Sequence, residues 1–89
     1  MLEKLTSVDY EERNVLVGMN RDSFEFVMYM IHACSKEWNI SPADVYQKLK
    51  NADCIHSYLV PFYDVLHTQS SRYVVEDIQQ YLQNRGVAV

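Results

Sequence analysis

The stretch DSFEFVMYMIHACSKEW, Asp22–Trp38, decides the fold class. Phe24, Val27, Ile31, Cys34 and Trp38 recur at helical spacing, and Met28 and Met30 widen the stripe. With Phe26 added, the apolar arc is too broad for a helix covered on one side only, so a central helix is expected. Asp22 or Ser23 is the expected N-cap, and Asn39 is expected to end the helix.

Downstream, ISPADVYQKLK places Ser41 as a cap, Pro42 at the first helical position and Asp44 three residues after the cap. Val45, Tyr46 and Leu49 would form the buried face. Asn51–Asp53 reads as a turn, with Asp53 a candidate cap. In CIHSYLVPFYDVLH a helical period runs through Ile55, Tyr58, Leu59, Phe62, Tyr63 and Leu66. Pro61 lacks an N–H and crowds the preceding turn, so two short helices are expected there, the second opened by Pro61. A last helix, SRYVVEDIQQYLQNRG, carries Val74, Val75, Ile78, Tyr81 and Leu82 on one face. Ser70 or Ser71 would cap it, and Gly86 would end it in a left-handed conformation. Upstream, residues 1–21 read as an N-terminal extension of uncertain order, in which Thr6 or Ser7 could cap a helix over VDYEERNVLV. The expected architecture is therefore all-α: a compact bundle of four to five short helices over residues 22–89.

Composition narrows the function classes. The chain has 89 residues, enough for one domain. Its formal net charge is −4, and Lys36, Lys48, Lys50, Arg72 and Arg85 are scattered among acids, so nucleic acid is not an expected partner. No apolar run reaches the roughly 18 residues of a membrane span, and the N-terminal residues lack the apolar core of a signal peptide. A cytoplasmic setting follows as the expectation. In that reducing compartment Cys34 and Cys54 are expected as small buried hydrophobes, with a disulfide the minor alternative. No cofactor is expected, and no metal: the pairs His32/Cys34 and Cys54/His56 are two residues apart, which sends their side chains to different faces of a helix.

The polar residues concentrate in YDVLHTQSS, Tyr63–Ser71. As plain structure this is a helix end, a turn and a new cap, with His67 near the last carbonyls. As chemistry, Asp64 and His67 would be a general acid/base pair beside Thr68, Ser70 or Ser71, but spacing without a cleft is weak support. As a contact surface, Tyr63, His67, Gln69, Tyr73 and Tyr81 would gather around the join of the last two helices. Tyrosine suits such a surface, and seven of the eleven aromatic residues are Tyr. The expected function is a non-enzymatic protein–protein interaction module. A small enzyme or ligand-binding domain using Asp64 and His67 is the alternative, and a homodimer fits either.

The chain also resembles a family of short bacterial proteins known as a domain of unknown function. The resemblance rests on FVMYMI (Phe26–Ile31), the helix start ISPADVY (Ile40–Tyr46), YDVLHTQ (Tyr63–Gln69) and VEDIQQYL followed by Arg85 and Gly86. Pro61 is a local departure from the pattern. Members of that family are often encoded near ADP-ribosyltransferase-like toxins, which implies an accessory or antitoxin-like partner. The resemblance assigns no catalytic residue, and it marks Leu66–Gln69 as the contact segment.

Overall fold

The computed structural model describes residues 20–89, and the helix expected over VDYEERNVLV lies outside them. Four α-helices and one π-helical turn make up this part, with no strand among the described residues. The helices are α1 (Arg21–Trp38), α2 (Pro42–Asn51), α3 (Tyr63–Leu66) and α4 (Ser71–Asn84). The π-helical turn spans Ile55–Leu59, between α2 and α3. The all-α expectation holds.

Helix α1 begins slightly earlier than its pattern suggested. Asn20, not Asp22 or Ser23, is the N-cap, and its Oδ1 accepts from the Ser23 amide at 2.8 Å. An asparagine caps as well as aspartate or serine, so the expected boundary at residue 22 moves to residue 20. Ser23 is instead buried. At the far end Asn39 stops the helix in the left-handed region, φ 57°, where its own N–H and that of Ile40 both reach the Ser35 carbonyl. Asparagine tolerates that region better than most residues.

Around α1 the other described elements are packed. Val27, Met30, Ile31 and Cys34 face the core, while Phe24, counted in the stripe, sits at its edge and is 38 % exposed. Helix α1 packs on α2 and on α4 and touches the π-helical turn. Ser41 Oγ accepts from the Asp44 amide, Pro42 follows the cap, and α2 buries Val45 and Leu49, with Tyr46 half-buried. Helix α4 contributes Val74, Val75, Ile78 and Leu82. Each such aliphatic side chain removed from water contributes about 1.5–3 kcal/mol, so the fold rests on this shared interior. Cys34 and Cys54 are both free thiols within it.

Two details between α2 and α4 differ from the sequence reading. Asp53 does not cap through its side chain: it takes a left-handed φ of 54°, and its carboxylate accepts from the Ser57 hydroxyl at 2.6 Å. Pro61 does not open the next helix but sits one residue before that helix's N-cap, Phe62. Upstream of the proline the chain widens its turn instead of breaking, and the Val60 N–H reaches the Ile55 carbonyl, five residues back, at 2.9 Å. The C-terminal end of α4 follows expectation. Gly86 has φ +77°, its N–H bonds the Gln83 carbonyl, and the Val87 N–H bonds the Leu82 carbonyl. That pair of bonds is a Schellman motif, and Val87 packs back on the core.

Candidate functional site

The segment Tyr63–Ser71 resolves into parts with separate jobs. Tyr63–Leu66 is one helical turn, too short to persist alone, and Leu66 pins it to the core at 4 % exposure. Thr68 Oγ1 donates to the Val65 carbonyl at 2.7 Å. Ser70 Oγ accepts from the Tyr73 amide and starts α4, which decides between the two candidate caps. His67 is the C-cap of α3. Its Nδ1 lies 2.8 Å from the Tyr63 carbonyl oxygen. A carbonyl only accepts, so Nδ1 carries a proton.

His67 is held by the backbone and by Tyr63. The imidazole nitrogen nearest the helix engages the backbone, and the ring lies flat on Tyr63, centroids 4.5 Å apart and planes at 12°. Across from it, Phe26 of α1 meets Tyr63 edge-on at 5.5 Å. Partial burial, then the carboxylates of Asp22, Asp64 and Glu25, push the Tyr63 phenol above its ordinary value. The phenol therefore keeps its proton and remains a donor.

The five sequence-derived contact residues do not form one cluster. Tyr63 and His67 stack together, and His67 and Gln69 are exposed. Tyr81 belongs to a second ring group: it stacks on Tyr58 at 5.2 Å, and Tyr58 meets Phe62 at 5.8 Å. The Arg85 guanidinium lies 4.5 Å above the Tyr81 ring, and the Tyr58 hydroxyl donates to Asp77. The Tyr81 hydroxyl is buried without a partner among the described residues, so it is not presented as a contact group. Tyr73 stands on the outer side of α4, 52 % exposed. The apolar residues outermost here are Phe62, which the sequence reading placed in the apolar period but which is 51 % exposed, and Val65, which it did not single out, at 59 %. Val65 lies within α3 and Phe62 is its N-cap, at the turn that Leu66 holds to the core.

A second concavity was also missed. A groove of about 770 Å³ runs between α1 and the start of α4, lined by Tyr29, His32, Ala33, Lys36, Glu37, Ser71, Arg72 and Val75. Its volume is in the range of ligand clefts, though it is open and polar. Lys36 and Arg72, far apart in sequence, share it, and Arg72 lies 3.7 Å from Glu76. The signal was present: Tyr29, His32, Ala33 and Lys36 recur at i, i+3, i+4 and i+7, on the side of α1 away from the main stripe. His32 is exposed and Cys34 buried, and likewise His56 is exposed and Cys54 buried, so neither pair converges.

Residues 25–85 match the family described as "Protein of unknown function (DUF3791)". The chain belongs to that family. No curated protein and no solved structure matches it. The DUF3791 match begins within α1, ends at the C-cap of α4 and so takes in both ring groups and the groove. Among the described residues no helix is long and apolar enough to cross a membrane.

Proposed function

We propose that this DUF3791 domain is a protein–protein interaction module whose contact face is centred on the turn Tyr63–Leu66. The observation that carries the reading is the outward placement of Phe62 and Val65, each more than half exposed, directly over a turn already anchored by Leu66. Single exposed apolar residues are ordinary on protein surfaces. Two on one helical turn, beside the Phe26–Tyr63–His67 stack, make a patch of the kind that partners cover. The setting is the cytoplasm, and the partner is an enzyme encoded nearby, which the domain escorts or neutralises in an antitoxin-like manner. The acid/base alternative would need Asp64 paired with His67, whose Nδ1 is instead engaged by the Tyr63 carbonyl.

The test is recovery of the tagged protein from its host, beside a Phe62→Ser, Val65→Ser variant and a His67→Ala, Gln69→Ala variant. A stoichiometric partner should accompany the native protein and be lost from the first variant, with thermal stability unchanged. Equal recovery with both forms would remove this face from the interaction.

A further inference from the structure

The contact face carries a charge pattern as well as apolar side chains. Asp64 lies between Phe62 and Val65 in the same turn. Asp22 and Glu25 lie on the first turns of α1, the helix whose Phe26 packs on Tyr63. Against these three carboxylates stands Arg21, whose ion pair with Glu25 at 3.1 Å is between two largely exposed groups and is therefore weak. We infer that the face takes a positively charged amphipathic segment of the partner, its apolar side chains on Phe62 and Val65 and its Lys or Arg side chains on Asp22, Glu25 and Asp64. This rests on the interaction reading above and adds the chemistry of the partner.

Charge complementarity selects this occupant over the others. An acidic segment would bring like charges to the rim, and a chain of net charge −4 would repel it at longer range. A second copy of the chain fares no better. In a two-fold dimer the same patch meets itself, so two acidic rims would be brought together. A cationic partner gains on both counts, and its association is accelerated at low salt.

The experiment uses the full chain and two designed amphipathic helical peptides, one of Leu and Lys and one of Leu and Glu. Binding is followed by amide chemical shifts and by sedimentation. The Leu/Lys peptide should shift the amides of Phe62–His67 and weaken as salt rises, and the Leu/Glu peptide should not bind. An Asp22→Asn, Glu25→Gln, Asp64→Asn variant should bind the Leu/Lys peptide about tenfold less tightly at low salt. Neutralising Glu37, Asp44 and Glu76 instead, the same change in net charge elsewhere, should leave binding unaltered. If both triple variants lose affinity equally, or the Leu/Glu peptide binds as well, the cationic partner is overturned, while the host partner's dependence on Phe62 and Val65 decides the interaction reading separately. Self-association of the native chain through this face would overturn the inference as well.

Discussion

Cys34 and Cys54 have no exposed surface, and burial pushes both thiols up from an ordinary 9.0 to about 12. For Cys54 the neighbouring Cys34 adds to the rise, while Arg85 opposes it. Between pH 9 and about 12 the native state keeps both protons and the unfolded chain releases them. The unfolded state then binds fewer protons, so stability falls as pH rises through this window and is unaffected by the thiols below it. The slope is about 1.4 kcal/mol per pH unit for each thiol. Urea unfolding from about pH 8 to about pH 10.5 should show the midpoint falling, and a Cys34→Ala, Cys54→Ala variant should show a shallower fall above about pH 9. The native thiols should also resist alkylation, since the reactive species is the thiolate. Two asparagines illustrate how much a residue's neighbours decide: Asn20 is extended and starts α1, and Asn39 is left-handed and ends it.

The three long helices begin with the same device. A side-chain oxygen of Asn20, Ser41 or Ser70 accepts from the amide three residues on. Replacing Ser70 with Ala should cost about 1 kcal/mol and lower the melting temperature, while Ser71→Ala, one residue into the helix, should change stability by no more than about 0.5 kcal/mol. Equal losses would mean that α4 starts elsewhere. The starts of α2 and α4 and the stops of α1 and α4 were legible because Ser41, Pro42, Ser70, Asn39 and Gly86 act locally, whereas Asn20 was passed over as the cap of α1. The π-helical turn was not legible. Over five residues its apolar spacing cannot be told from that of an α-helix, and only the bond from Val60 to Ile55 distinguishes them. Pro61 signalled a disturbance but not its form, since a proline can open a helix or sit just before the cap of one.

Across the whole molecule the interior and the contact face separate cleanly. Leu49 is fully buried in the core to which every element contributes, and Leu49→Ala should cost about 2–5 kcal/mol. Val65→Ala should change stability by no more than about 0.5 kcal/mol, because that side chain packs against solvent. Paired denaturant melts of the two variants check the contrast. The core was readable from helical stripes, since burial follows periodicity. The candidate site was readable only in part. Tyr63 and His67 are four apart and were expected to be near one another, but Phe26 reaches Tyr63 across 37 positions of sequence, and Lys36 lines the same groove as Arg72 across 36. Such neighbours are set by how α1 meets α3 and α4, which no local pattern encodes. Tyr81 was misgrouped for the same reason, because its partner Tyr58 lies on another element.

The widened turn at Ile55–Leu59 bears on how the family can vary. A π turn holds one residue more than an α turn while its flanks keep their places. Loss of one residue there would close the bulge into ordinary helix, leaving Ile55 and Leu59 three apart instead of four and still on one side. Deletion of a residue within α1 or α4 would turn one half of the helix by about 100° against the other and expose the core. Natural length variation within this domain is therefore expected to concentrate just before Pro61, where a deletion can pass as silently as a substitution.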